Sequence, residues 1–395
     1  MELLRSIKVL SLEQATVLPY LTYRLAMDGV QIIRLEHPKF GDPNRFIGEN
    51  VLGEERMNAY FLNINAGKKA LTLNLADPEG RKLFHGLIAD LNIDIFATNQ
   101  LPRNYQKLGI DYDSLKTLKP DIIWLGVTGF GPQSNEAAYD PILQARSGLM
   151  ELTGQEDGPP MVLGIPLPDM GTSEHAYGQL MKALYLREVT GRGSRIDLSM
   201  FESSASWLTV PISMTASFGK KVTRRGNTHE FFSPVSVYQT KNGFVYVAVG
   251  NDRQWKSLVS LDIFKSLDCP QYEKNGGRIG DVANLNRLIN DITGQHTSEA
   301  LITLFTSITV PISKINRIAD VINDPLVEKK LLFSRDPLTG REITMAPPPY
   351  MTPFLAENNR RLSFPPRFGE HNTEIYQQIG YSQENLSSLR EKGVI

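Results

Sequence analysis

The chain has 395 residues, 41% of them hydrophobic, and 42 Lys and Arg balance 43 Asp and Glu for a formal net charge of −1. That length buries a substantial core and fits two or three domains, while the charge balance, without long basic or acidic runs, speaks against nucleic acid or a charged membrane surface as partner. The single cysteine, Cys269, excludes an internal disulfide and fits a reducing compartment; with no signal-like apolar segment in residues 1–6 and no bilayer-length apolar stretch, a cytoplasmic location is expected.

The first third alternates strand-like and helix-like segments. Ile7 to Leu12 reads as a strand, Leu18 to Met27 as a helix closed by Gly29, and Gln31 to Leu35 as the next strand. This β-α-β unit ends on Glu36, as in dinucleotide-binding folds. The turn Leu12-Glu13-Gln14-Ala15-Thr16, however, has none of the glycines that let a pyrophosphate approach the backbone, which argues against NAD. A helix over 78–91 and strands at 94–96 and 122–126 continue the alternation. The pattern predicts an α/β fold with a mostly parallel sheet covered on both faces.

From about Pro211 to Pro325 the character changes. Two β-rich runs, Val235 to Thr240 and Phe244 to Val249, flank an Asn-Gly turn at Asn242-Gly243, a hairpin signal. Leu- and Ile-rich helical segments follow over 285–305, and this region is expected to be a smaller α+β domain. Ala346 to Tyr350 and Asn358 to Arg361 read as loops. The stretch from Thr373 to Arg390 reads as helical, with a turn at Gly380-Tyr381-Ser382.

Asp169 lies between Gly164-Ile165-Pro166-Leu167-Pro168 and a run with apolar residues at Met170, Ala176, Leu180, Ala183 and Leu184, which predicts a helix over 170–188. A carboxylate just ahead of a helix meets unpaired N–H groups and the positive end of the dipole, which would hold it ionised and aimed as a nucleophile. On local sequence alone, plain N-capping is the more common reason for an acid at this place. His and acidic residues show no metal-ligand spacing, so no metal is expected. No Ser-His-Asp or Cys-His arrangement competes with the acid.

Several segments in order give the chain a resemblance to family III CoA-transferases, the group of formyl-CoA and carnitine CoA-transferases related to α-methylacyl-CoA racemase. They include Asn65-Ala66-Gly67-Lys68-Lys69-Ala70-Leu71-Thr72-Leu73, Asp77-Pro78-Glu79-Gly80, Gly126-Val127-Thr128-Gly129-Phe130-Gly131, Tyr139-Asp140, Gln144-Ala145, Thr190-Gly191-Arg192-Gly193-Ser194 and Gly369-Glu370-His371. The resemblance implies a Rossmann-like large domain of residues 1–212 and 328–395, a small domain of 213–327, and an interlocked homodimer, with a heteromer containing a homologous chain as the other arrangement. It implies that Asp169 attacks an acyl-CoA thioester and passes through anhydride and aspartyl-CoA intermediates, with succinyl-CoA a candidate donor and no tightly bound cofactor.

By the same resemblance, Asp140 is a second acid at the reaction centre, although Asp before Pro141 is also a common turn starter. The CoA groove falls to Thr16, Val17, His37, Leu73, Asn74, Leu75, Ala76, Asn99, Gln100, Leu101, Lys107 and Tyr139. Lys107 and His37 stand where the family has arginine, which weakens phosphate contacts, and Ala137 stands where formyl-CoA transferase has lysine. These departures point away from formate and oxalate. A racemase reading lacks a histidine at the place of Tyr139 and the glycine run after the aspartate. A non-catalytic CoA-binding subunit of a heteromeric transferase is the remaining alternative, and the presence of Asp169 argues against it.

Overall fold

The structure, a computed structural model, describes residues 2–395. The chain folds into two compact units, one of residues 1–149, 162–220 and 326–395, the other of 150–161 and 221–325.

The first unit is built on a six-stranded sheet. Its strands are β1 (Lys8–Leu12), β2 (Gln31–Glu36), β3 (Lys68–Thr72), β4 (Ile95–Thr98), β5 (Ile123–Thr128) and β6 (Ser194–Ser199), in the order β3-β2-β1-β4-β5-β6. Every pairing is parallel. The central strands are largely apolar on both faces because both are covered. Leu10, Phe96 and Trp124 enter one core with Phe84, Leu87 and Ile88 of the helix Pro78–Asp90. Val9, Ile95, Ile123, Leu125 and Val127 enter the other, against Leu18, Leu21 and Leu25 of the helix Val17–Ala26 and Ala176 and Leu180 of the helix Leu167–Thr190. The alternation within each strand is the period-two rule with two buried sides.

Residues 326–395 complete this unit. The helices Asn372–Gln378 and Gln383–Glu391 place Ile375, Tyr376, Leu386 and Leu389 in the first core. The Tyr376 hydroxyl donates to the Thr72 carbonyl at 2.8 Å. An antiparallel pair of short strands, Leu332–Arg335 and Glu342–Met345, lies in the same stretch.

The second unit carries the predicted hairpin. β7 (Val235–Thr240) pairs antiparallel with β8 (Gly243–Ala248), and β8 with β9 (Ile312–Lys314). Thr240 faces Gly243, so the loop is Lys241-Asn242 and the glycine opens the strand. The sheet's apolar face packs with Trp255, Phe264, Leu285, Leu301 and Phe305.

The Gly-x-Gly of 191–193 has a local cause. Gly191 ends the long helix at φ +69, in the left-handed region, and a Cβ on Gly193 would sit 2.1 Å from the Ile122 carbonyl oxygen. Both spacings serve the entry into β6 beside β5.

Candidate active site

In a parallel sheet all loops after the strands gather at the carboxyl edge, and a crevice opens where the chain leaves neighbouring strands in opposite directions. Here that point lies between β1 and β4, which are neighbours in the sheet and continue to opposite sides. The residues expected at the groove fall on this edge. Thr16 and Val17 follow β1, His37 follows β2, Leu73 to Ala76 follow β3, and Asn99 to Leu101 follow β4.

Their engagements differ. Thr16 Oγ1 lies 3.2 Å from the Tyr60 hydroxyl. The Leu73 N–H donates to the Glu36 carbonyl and the Asn74 N–H to the Val394 carbonyl. The Ala76 N–H is held by the Asn74 side chain. Leu73 and Leu75 are buried in the core. The carbonyls of Asn74, Leu75 and Ala76 are engaged as well, the first by the Asp77 N–H and the other two by the Arg81 guanidinium. The amide of Asn99 is occupied at both ends by the Gln14 backbone. Gln100 and Leu101 are half-buried, Lys107 is exposed, and Tyr139 is 76% exposed. Burial first, and then the Lys39 charge, lower the His37 pKa, so its imidazole is neutral near pH 7.

The crossover helix Leu167–Thr190 precedes β6 and runs back along the sheet, so its first turn lies at the same edge. It starts three residues earlier than the sequence pattern indicates. Pro166 is its N-cap residue, and Pro168 sits inside the first turn, where a missing N–H costs nothing. Asp169 is consequently the third helical residue rather than the cap, and no side-chain capping bond is made. The Ser173 hydroxyl, one turn on, is shared between the carbonyls of Asp169 and Val17. That contact fastens this helix to the start of Val17–Ala26.

Asp140 is not a turn residue. It opens the helix Asp140–Arg146 with Pro141 next, and it is 7% exposed. One of its oxygens accepts the Asp169 N–H at 3.2 Å, the other the Gln144 side-chain amide at 2.6 Å. Gln144, itself buried, also accepts the Leu163 N–H at 2.9 Å, so it ties Asp140 to the strap that leads into Asp169. The Asp169 carboxylate accepts no hydrogen bond and meets no cation among the described residues.

The electrostatic result reverses the sequence expectation. Burial first, and the Asp140 charge second, push the Asp169 carboxyl up to about 7, so the group is far from fully ionised at neutral pH. The dipole of a first-turn position is worth at most about 1–2 kcal/mol and does not outweigh desolvation beside a like charge. Burial also raises Asp140, against the hydrogen bonds from Gln144 and from the Asp169 N–H. Two neighbouring buried acids, both raised above the ordinary carboxyl range, are suited to nucleophilic or proton-transfer work.

Beside the pair, the Trp207 indole lies on Gly171, where an added Cβ would come 1.9 Å from the ring. His175 stacks on the same indole with centroids 5.5 Å apart and faces Ser206 rather than the acids. Gln144 meets Asp140 at a local helical spacing, but its contact with Leu163 and that of Trp207 with Gly171 join residues far apart in the chain and carry no local sequence signal. In the second unit Arg224 is paired with Glu151 and Arg225 with Glu230. Among the described residues no group of three or more His, Cys, Asp or Glu side chains is placed to hold a metal, and no helix is long and apolar enough to cross a membrane.

A cavity of about 740 Å³ opens at the opposite edge of the sheet, lined by Lys8, Gln31 and Lys69 at the strand starts and by Arg361, Arg367 and His371. Its cations are engaged, Lys69 with Glu374, Arg361 with Glu342, and Arg367 with Glu54 and Asp336. The acids described above lie away from it, at the carboxyl edge.

Comparison with known proteins bears on this geometry. A family profile described as CoA-transferase family III matches residues 4–372. The succinyl-CoA:glutarate CoA-transferase of Homo sapiens is 29% identical over 400 residues, covering 99% of this chain and 90% of its own. The succinate–glutarate CoA-transferase of Agrobacterium fabrum is 31% identical over 95% of each chain, and the succinyl-CoA:mesaconate CoA-transferase of Haloarcula hispanica is 30% identical over 95% and 96%. A solved CAIB/BAIF family protein from Brucella suis superposes with a TM-score of 0.82 at 29% identity, covering 94% of this chain and 98% of that one.

Proposed function

Because this chain belongs to the family III CoA-transferases and is an enzyme of that class, we propose that Asp169 is the nucleophile of a CoA transfer between dicarboxylic acids. One Asp169 oxygen attacks the thioester carbonyl of the donor acyl-CoA and expels CoA thiolate, leaving an acyl-aspartyl anhydride. The thiolate attacks the aspartyl carbonyl, which frees the donor acid and leaves an aspartyl-CoA thioester. The acceptor carboxylate then attacks that thioester, and the released thiolate takes the acceptor acyl group from the second anhydride. Each step exchanges one carbon–oxygen or carbon–sulfur bond for another, and the last returns Asp169 as a carboxylate.

The observation that carries this reading is the unpaired acid at the carboxyl edge of the sheet. A carboxyl raised to about 7 gives a carboxylate of higher basicity than an ordinary aspartate, hence a better nucleophile. Asp140 holds the Asp169 backbone from one side and leaves its side chain free. The CoA moiety lies over the ends of β1 to β4, on the backbone of Thr16 and Val17 and beside His37, Leu73 to Ala76, Gln100, Leu101, Lys107 and Tyr139. The relatives' names make succinyl-CoA the proposed donor and a five-carbon dicarboxylate the proposed acceptor.

The domain reading 1–212 with 328–395 against 213–327 and a homodimer, interlocked as the resemblance implies, belong to the same proposal, as does a cytoplasmic location. The helix Thr209–Phe218 supports the dimer, because Val210, Ile212 and Phe218 are exposed and none of its residues is buried. The test of function is trapping. Incubation with succinyl-CoA and hydroxylamine should place a hydroxamate on Asp169 and stop turnover. A hydroxamate on any other residue removes the mechanism.

A further inference from the structure

Gln144 sits one helical turn after Asp140 in the helix Asp140–Arg146 and is 1% exposed. A buried amide must find partners for an NH2 group and for a carbonyl oxygen, and here both are met. The side-chain oxygen accepts the Leu163 N–H at 2.9 Å. The side-chain nitrogen donates to Asp140 Oδ1 at 2.6 Å and lies 3.4 Å from the Ile165 carbonyl. The amide cannot turn over, because its oxygen would then meet a carboxylate and a carbonyl while its nitrogen met an N–H. Backbone groups 19 and 21 residues away along the chain thus decide that Asp140 faces a donor.

The second Asp140 oxygen accepts the Asp169 N–H at 3.2 Å. Both oxygens therefore receive donors, a pattern complete for a carboxylate, whereas the hydrogen of a protonated acid would point at an N–H. Burial raises both acids, but hydrogen bonds pull only Asp140 back down, from Gln144 and from the Asp169 N–H. The other charges nearby are engaged elsewhere or face solvent. Arg146 on the Asp140 helix pairs with Glu136, and Glu174 on the Asp169 helix pairs with Arg24 of Val17–Ala26. His175 lies on Trp207, and Glu202 of the helix Met200–Ser206 is exposed.

Neighbouring carboxylates repel, so protons leave such a pair in two steps and one acid keeps its proton longer. We propose that Gln144 is a positioning residue of the CoA transfer, whose amide keeps Asp140 charged and leaves the proton to Asp169. The Asp140 charge then keeps the Asp169 carboxylate basic. Through Leu163 and Ile165 the same amide fixes the strap that leads into Asp169. The inference deepens the proposed role of Asp169 and rests on it.

The test uses the full chain with Gln144→Met, which keeps an unbranched side chain of similar length and removes the amide. Rates with limiting and saturating succinyl-CoA are followed against pH in the wild type, in Gln144→Met, in Asp140→Asn and in the double variant. In Gln144→Met the acid limb of kcat/KM should move down by about one pH unit, because Asp140 loses a hydrogen bond to its charged form and repels Asp169 less. The plateau of kcat should fall about threefold with the less basic nucleophile. The donor KM should stay within about twofold, since a buried Gln144 meets no substrate group. In the Asp140→Asn background the same substitution should leave the limb in place.

An unmoved limb in Gln144→Met overturns the assignment, and so does an equal further shift in the double variant. A lowered unfolding temperature with an unaltered pH profile makes Gln144 a packing residue and overturns it too. If Gln144→Met does not fold, the carbon-13 carboxyl resonances of the wild type decide, assigned with Asp140→Asn and Asp169→Asn. The Asp140 signal should titrate below that of Asp169, and the reverse order overturns the inference. Failure of the wider reading looks different. Normal turnover in Asp169→Asn removes the nucleophile and this inference with it, whereas an inactive Asp169→Asn beside an unmoved limb in Gln144→Met removes only the role of Gln144.

Discussion

Two groups of buried acids in the same unit behave in opposite ways. Glu13, Glu36 and Asp42 lie among Arg34, Arg45 and Lys68, three negative charges among three positive ones, and all six are almost fully buried. The Phe61 ring sits between two of the cations, 4.7 Å from the Arg34 guanidinium carbon and 3.8 Å from that of Arg45. Burial opposes the charge on Glu13, yet Lys68 and Arg34 hold its carboxyl below the ordinary range, and Arg34 and Arg45 do the same for Glu36. Asp169 and Asp140 have no cation, and both are raised. Burial is common to the two groups, so the counter-charge decides the sign of the shift. The first group holds backbone in place; the second is left chemically restless.

The comparison can be broken at its strongest point by Asp169→Asn, which keeps the shape and removes the nucleophile. Activity in a CoA-ester exchange assay should fall by at least about 10³-fold, corresponding to roughly 4 kcal/mol of barrier. Near-normal turnover would reduce the unpaired acids to a structural oddity. Arg34→Met tests the other group, since it leaves Glu36 and Asp42 short of a buried partner. Denaturant unfolding should show a loss of about 3–5 kcal/mol, and an unchanged midpoint would mean that the cations do not hold those acids.

Asp140→Asn sharpens the account of the active pair. The wild-type rate should rise with pH through about 7 as Asp169 ionises. Removing the neighbouring charge lowers the Asp169 pKa, so the acid limb of the kcat/KM profile should move to lower pH. A limb that stays in place assigns it to another group.

The smallest effect is on stability. The folded pKa of Asp169 lies above its unfolded value, so stability tied to its proton is complete below about pH 4 and lost as pH rises through about 7. Asp169→Asn lacks this loss. Its unfolding temperature should gain on the wild type between pH 5 and pH 8 in differential scanning calorimetry, and a constant offset would contradict the shift.

The two groups also mark how far the sequence could be read. β1, β2, β4 and β5 were legible because each contains a short run of apolar, mostly β-branched or leucine residues. β3 was not read as a strand. It begins Lys68-Lys69, and Lys68 is tolerable in a core only because Glu13 meets it from 55 residues away. β6, Ser194 to Ser199, is an edge strand whose Arg195 and Asp197 pair with each other, which leaves only Ile196 and Leu198 as a two-residue apolar alternation.

The acid itself was legible from its motif, and its charge state was not. The cap expectation failed because two prolines read as pre-helical while the first turn had already begun at Leu167. The ionised state failed because burial first, and then the charge of Asp140, 29 residues earlier, raise the carboxyl, and no local pattern contains either. The positive φ of Ala15 was not legible in the turn, because the hydrogen bonds from Asp42 and Asn44 that hold it come from 27 and 29 residues away.

The Ser173 hydroxyl, shared between the carbonyls of Val17 and Asp169, has a kinetic consequence. It joins the start of the helix Val17–Ala26 to the helix that carries Asp169. Under the proposed mechanism, a thiolate released partway through turnover would then stay in register with the carbon it must strike next.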